Sequence, residues 1–256
     1  MIGAQQPTED RLGSARQPSW RRDLWLMLRA IRDLVHGFRS LQSAGPCVTV
    51  FGSARCASDH PYYQIGREVG RRLTEVGFTV MTGGGPGLME AVNRGAMEAN
   101  GRSLGCNIRL PVEQSANRYV ERSVSCQHFF VRKVLLFKYS YAFVALPGGF
   151  GTVDELFEAL TLIQTGKIEL FPVVLIGTAY WRPIVALLEQ MASEGMADTS
   201  DLALALVTDD LDEATQYIAR LTGARFGLRP SKPLGRAEGF HTAERIGTAS
   251  ATQLPV

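Results

Sequence analysis

The stretch FTVMTGGGPGLMEAVNRGAMEAN, residues 78–100, holds the decisive pattern. A short apolar and β-branched run stops at a cluster of glycines, and apolar residues then recur at helical spacing. Strand, glycine turn and helix are the parts of a βα unit. The same order recurs on both sides. PCVTVFGSAR (46–55) reads as a strand at about 47–51 closed by Gly52. A helical pattern follows at 61–76, through Tyr63, Ile65, Val69, Leu73 and Val76, and Gly77 ends it as a glycine just past a helix would. Downstream, SLGCNIRL (103–110), YAFVAL (141–146), FPVVLIG (171–177) and LALALVTDD (202–210) read as strands. DELFEALTLIQTG (154–166), YWRPIVALLEQMASEG (180–195) and LDEATQYIARLTG (211–223) read as helices. Between them, PVEQSANRYVERS (111–123) reads as irregular and polar, and CQHFFVRKVLLFKYS (126–140) as an apolar stretch carrying the basic pair Arg132–Lys133. Near-continuous apolar strands joined by crossover helices predict an α/β fold: a doubly wound, Rossmann-like parallel sheet with helices on both faces.

The ends differ from this middle. Residues 1–19 are polar and read as a mobile tail. Residues 20–42 place Leu24, Met27, Leu28, Ile31, Leu34, Val35, Phe38 and Leu41 at three- and four-residue spacing, the apolar face of an amphipathic helix, with Arg21, Arg22, Arg29, Arg32 and Arg39 on the remainder. Such a helix is expected to dock on the protein's own core or on a second subunit rather than on a membrane surface. Periodicity is lost over 227–256, which reads as disordered. The expected organisation is a tail and amphipathic helix at 1–45, a nucleotide-binding catalytic domain at 46–226, and a second tail at 227–256.

With 27 basic and 25 acidic residues, the formal charge of +2 provides no field that would imply nucleic acid as partner. Cys47, Cys56, Cys106 and Cys126 form no CxxC pair, which argues against a zinc site or a disulfide scaffold and fits a reducing cytoplasm. His36, His60, His128 and His241 have no metal-ligand spacing, so no metal is expected. The N-terminus lacks the pattern of a signal peptide, and no apolar run reaches the roughly 18 residues of a membrane span.

In a doubly wound sheet the loops after the strand ends lie along one edge, where ligands bind. Three of those loops carry glycine here: FGSAR with Gly52 and Ser53, TGGGPGL with Gly83, Gly84, Gly85 and Met89, and PGGFGT with Gly148, Gly149, Gly151 and Thr152. Glycine lets a phosphate approach main-chain N–H groups, and a helix starting just afterwards adds open donors. No GKS or GKT follows, and neither of the last two loops fits GxGxxG, so a mononucleotide or another small phosphorylated ligand suits them better than a dinucleotide. Thr152-x-x-Glu155 has the form of a capping box at a helix head. The same carboxylate stands at the ligand-binding edge, with Glu158 one turn behind it on the same face, and spacing leaves both readings open. Arg132 is either a solvated residue at a helix start or a bidentate phosphate ligand.

TGGGPGLMEAVNRGA (82–96), VRK (131–133) and LPGGFGTVDELFEALTLIQTGK (146–167) together resemble the LONELY GUY family, cytokinin riboside 5′-monophosphate phosphoribohydrolases that often carry the label lysine decarboxylase. The resemblance runs from about Cys47 to Thr222, and the PGGxGTxxE motif is complete from Pro147 to Glu155. It implies hydrolysis of the N-glycosidic bond of a purine nucleoside 5′-monophosphate, without cofactor, by a homo-oligomer. It implies Arg132 and Glu155 as the catalytic pair, and Gly148, Gly149, Gly151 and Thr152 as the loop on phosphate and ribose. Lys133 matches the family's basic neighbour of the arginine, and Thr161 a threonine on the following helix. Phe129 and Phe130 stand where many plant members have Met-His, which, with the added N-terminal helix, resembles the longer subgroup. Glycosidic cleavage passes through a ribosyl cation that a carboxylate stabilises, which suits Glu155. Arginine is a poor general acid, so Arg132 is expected to act by charge and position. Decarboxylation would need a pyridoxal-phosphate lysine, and no lysine sits in a fitting context. A non-catalytic carrier of molybdenum cofactor, or a nucleotide sensor, on the same fold is the competing expectation.

Overall fold

The computed structural model describes residues 19–109, 116–168 and 171–226. The tails expected at 1–19 and 227–256 lie outside the described residues except for Ser19, as does part of the polar segment that begins at Pro111. The central strand β1 (Cys47–Phe51) is buried along its whole length. It is flanked by β2 (Thr79–Thr82) on one side and β5 (Ser140–Ala145) on the other, both parallel to it. With β3 (Ser103–Ile108), β4 (Arg122–Cys126), β6 (Val173–Ile176) and β7 (Ala205–Thr208), the seven parallel strands run in the order β4-β3-β2-β1-β5-β6-β7. The chain builds outward from β1 to one edge, then returns to β1 and builds to the other. The gap between the C-terminal ends of β1 and β5 is therefore the topological switch point.

Strand side chains alternate between two cores. Cys47, Phe51, Met81, Leu104, Phe143 and Leu175 face one core, and Val48, Val50, Val80, Val144 and Val174 face the other. On the first face lie α1 (Trp20–Leu41), α4 (Phe129–Tyr139), α5 (Phe150–Gln164) and α6 (Thr178–Ser193). On the second lie α2 (Pro61–Glu75), α3 (Leu88–Glu98) and α7 (Leu211–Phe226). The doubly wound expectation holds. Helices α2 and α3 pack closely because glycine replaces side chains at their contact: a Cβ on Gly70 would stand 2.0 Å from the Val92 carbonyl oxygen, and one on Gly95 1.8 Å from that of Arg67.

Three elements depart from the sequence expectation. The end of the segment read as irregular (111–123) runs into β4, an edge strand whose outer residues are polar and half wet, so no apolar run betrays it. The expected last strand is shorter, because Thr199–Leu204 forms a 3-10 helix capped by Asp198 before β7 begins. The apolar face of α1 is split. Leu34, Phe38 and Leu41 pack on the core, while Leu24, Met27, Leu28, Ile31 and Val35 are exposed. Helix α1 is nonetheless fastened to α4 and β4. Gly37 leaves room for Leu135, Tyr139 Oη donates to the Phe38 carbonyl (3.2 Å), and Arg122 Nη1 donates to the Ser40 carbonyl (3.0 Å).

Candidate active site

The three glycine-bearing loops converge as expected, on a cavity of about 730 Å³ at the switch point. Gly52 and Ser53 follow β1, Gly83, Gly85 and Met89 follow β2, and Gly148, Gly149, Gly151 and Thr152 follow β5; all line the cavity, with Arg132 from α4. The loops are tied to one another. Ser53 N–H donates to the Pro147 carbonyl (3.0 Å), and Leu88 N–H to the Ser53 carbonyl (2.9 Å). Gly84, at φ +73°, sits behind the wall, where a Cβ would collide with Asn107 Oδ1. Gly83 is needed differently: a Cβ there would meet Met89 Sδ at 2.7 Å and Arg132 Nη2 at 2.8 Å, so its bareness lets both side chains close on the loop.

Helix α5 overturns the capping-box reading. It begins at Phe150, a turn earlier than the periodicity of DELFEALTLIQTG indicates, with Gly149 as N-cap and no side-chain cap. Thr152 and Val153 N–H groups both turn back to the Gly149 carbonyl (3.0 and 3.1 Å). Thr152 is thus already inside the helix, and its hydroxyl lies over Gly148 instead of capping. The earlier N–H groups of the first turn have no intrahelical acceptor and open at the cavity. A Cβ on Gly149 or Gly151 would meet nothing within 4 Å, so the helix head is bare on that side.

Glu155, freed from capping, is 2% exposed, and its Oε2 is buried with no hydrogen-bond partner. Burial pushes its pKa up to about 7, against the opposing pull of Arg132 and Lys133. Arg132 is held by Nε donating to the Cys106 carbonyl within β3 (3.0 Å). Lys133 stands outside the cavity wall. Its Nζ lies 2.5 Å from Glu158 Oε2 and 2.9 Å from Asp154 Oδ2, bridging α4 to α5. Burial lowers its pKa and the two carboxylates raise it, with a net rise. Glu158 and Thr161 line a separate shallow groove along α5 with Phe157 and Leu162.

Other residues of the site escape the sequence reading. Asn107 breaks the apolar run of β3 and lines the cavity, and a polar residue inside such a strand is the signal that marks it. Asn93 is fully buried and accepts from Thr82 Oγ1 (2.7 Å) and Asn117 Nδ2 (3.0 Å). Asn117 N–H and Nδ2 also hold the Gly84 and Gly85 carbonyls (both 2.9 Å). Phe129 and Phe150 stand at the cavity, Phe150 at 95% exposure.

A family model described as "Possible lysine decarboxylase" matches residues 89–218, just over half of the chain. The chain belongs to that family, the LONELY GUY family. Curated members are similar at modest identity. The cytokinin riboside 5′-monophosphate phosphoribohydrolase of Rhodococcoides fascians is 28% identical over 67% of this chain and 88% of its own. That of Mycobacterium marinum is 29% identical over 67% of this chain and 93% of its own. Among solved structures, a structural-genomics target is 26% identical with a TM-score of 0.52, covering 68% of this chain and 99% of its own. The molybdenum cofactor carrier protein of Chlamydomonas reinhardtii is 22% identical with a TM-score of 0.53, covering 70% and 98%, a likeness of fold alone. The family's decarboxylase label finds no footing in the described lysines. Lys133 is locked between two carboxylates that hold its proton, and Lys138 and Lys167 are exposed and absent from the cavity wall.

Proposed function

We propose that this protein hydrolyses the N-glycosidic bond of a purine nucleoside 5′-monophosphate of the cytokinin type, giving free base and ribose 5-phosphate. The observation that carries the reading is Glu155, an unpartnered carboxyl buried just behind the cavity lining and close enough to Arg132, which does line the cavity, to feel its charge. The phosphate binds the open N–H groups at the head of α5 and the Gly148–Thr152 loop. As the bond to the base lengthens, positive charge develops at C1′, and the Glu155 carboxylate stabilises it. Water then adds its hydroxyl to C1′ and its proton goes to the departing base. Arg132 supplies charge and position, and Lys133 fixes α4 against α5 so that the pair keeps its spacing. A carrier protein would use the glycine loops without needing a buried carboxyl opposite an arginine, which favours the enzyme.

The protein acts as a homo-oligomer in the cytoplasm, a reading supported by the exposed apolar residues of α1 and by four unpaired thiols. The deciding experiment incubates the purified protein with AMP and with isopentenyl-AMP and measures free base. Release that disappears in Glu155→Gln while nucleotide binding persists is expected. Tight nucleotide binding by the wild type with no base released would sink the enzyme reading in favour of a carrier or sensor.

A further inference from the structure

Two guanidinium groups reach the cavity, and the reaction as described uses only Arg132. The other is Arg55, at the end of FGSAR. Among the described residues, Arg55 and Arg132 are the charged side chains that line the cavity, and the Glu155 carboxyl lies buried behind that lining. The residue is exposed, and its side chain enters no ion pair among the described residues. Its backbone, by contrast, is fixed. Arg55 N–H donates to Ser53 Oγ (3.1 Å), and Ser53 is bonded on both sides, to Pro147 and to Leu88. Gly87, at φ +70°, presses so close that a Cβ would stand 2.4 Å from the Ser53 carbonyl oxygen. A rigid base carrying a free, long cationic side chain suits a group that closes on a bound anion.

Position supplies the partner. The Ser53–Pro147 hydrogen bond joins the Arg55 loop to the loop that leads into α5, and Arg55 lines the same cavity as Gly149, Phe150 and Gly151 at the head of that helix. Arg132 is anchored elsewhere, by Nε on the Cys106 carbonyl within β3, with its Nη2 closing over the bare Gly83. A phosphate monoester carries roughly −1.5 to −2 charge at neutral pH, and a planar guanidinium meets it with two parallel hydrogen bonds.

We propose that Arg55 determines the preference for phosphorylated substrates: its guanidinium closes on the substrate's phosphate from the side opposite the α5 N-terminus, leaving Arg132 to the ribose and the glycosidic bond. This rests on the phosphoribohydrolase reading of the site, and the test separates the two. Full-length wild type, Arg55→Ala and Arg55→Lys are compared in kcat and KM for the nucleoside 5′-monophosphate, in cleavage of the same nucleoside without phosphate, and in calorimetric Kd for ribose 5-phosphate. Arg55→Ala raises KM and the ribose 5-phosphate Kd by roughly 10- to 100-fold, the scale of a lost charged hydrogen bond, and changes kcat by less than about threefold. The loss on the phosphorylated substrate exceeds that on the bare nucleoside by at least about tenfold, and Arg55→Lys, a point charge without the fork, recovers part of it. Unchanged KM and Kd in Arg55→Ala overturn the proposal. So does an equal loss on the bare nucleoside, or a wild type that does not bind ribose 5-phosphate. A wild type that binds ribose 5-phosphate through Arg55 yet releases no base refutes the hydrolase and leaves the Arg55 assignment standing.

Discussion

In the proposed reaction the single carboxyl of Glu155 links stability to chemistry. Unfolded, it titrates near 4.5; folded, near 7, because burial disfavours its charge. Between those values the native chain holds a proton that the unfolded chain has lost, so this group makes stability fall as pH rises through that window. The cost at pH 8 is on the order of 3 kcal/mol at most. Glu155→Gln removes the ionisation, so the variant is expected to melt above wild type at pH 8, by an increment worth roughly 1–3 kcal/mol, and to lose that advantage at pH 4. Thermal melts at the two pH values read this directly; an equal gap at both would mean that Glu155 is not titrating in the native state. Activity runs the other way. The carboxylate is the form that steadies a cation, so kcat/KM is expected to climb between pH 6 and 8 with a midpoint near the folded pKa of about 7. Little of this is visible in the letters TVDE. They fit a capping box as well as a catalytic carboxyl, and only the start of α5 at Phe150 removes the first possibility. The unpaired state of Glu155 Oε2 depends on distant chain segments that no local spacing encodes.

Among the elements, α4 matters most because it carries both Arg132 and Lys133, and its N-terminus is held from outside the sheet. Asp33, a buried residue of α1, accepts the Gln127 N–H at 2.8 Å, just ahead of the His128 N-cap. An anionic acceptor at a helix N-terminus satisfies an open donor and complements the helix dipole. Asp33→Ala is expected to cost about 1.5–3 kcal/mol of stability, the range for a hydrogen bond to a charged group, and Asp33→Asn to recover part of it through its amide oxygen. Chemical denaturation of the three proteins measures this, and an Asp33→Ala midpoint equal to wild type would show that α1 does not brace α4. Sequence patterning located α1 itself, through its three- and four-residue spacing, and most helices of the parallel layers. It was silent on β4, whose exposed outer residues give no alternation to read, and it left α4 unassigned because FFVRKVLLFKY is apolar almost throughout. The site was legible where glycine punctuates a strand end, and illegible where Asn93 and Asn117 hold those loops from a distance.

On the scale of the whole molecule, the unresolved feature of the monomer is its surface. Trp25, Met27, Ile31 and Val35 of α1 are each about half exposed or more, and Phe130 and Val134 are exposed on the adjoining α4. Monomeric proteins rarely leave contiguous apolar patches above a few hundred Å² open to water. The opposite side of α1 is already committed, through Leu34, Phe38, Leu41 and the Asp33 bond, so the helix cannot turn to hide these residues without losing its own core contacts. In the proposed homo-oligomer a second copy of the chain would cover this face, since one surface can meet itself across a two-fold axis. Light scattering at micromolar concentration is therefore expected to give a mass of at least two chains of 28.0 kDa each. Replacing Met27 and Ile31 together by glutamate is expected to lower that mass toward one chain while leaving the far-UV circular dichroism intact, because neither side chain belongs to the packed face. A wild type that runs as a single 28.0 kDa chain would refute assembly through α1, and an unchanged oligomer in the double variant would move the contact to another surface.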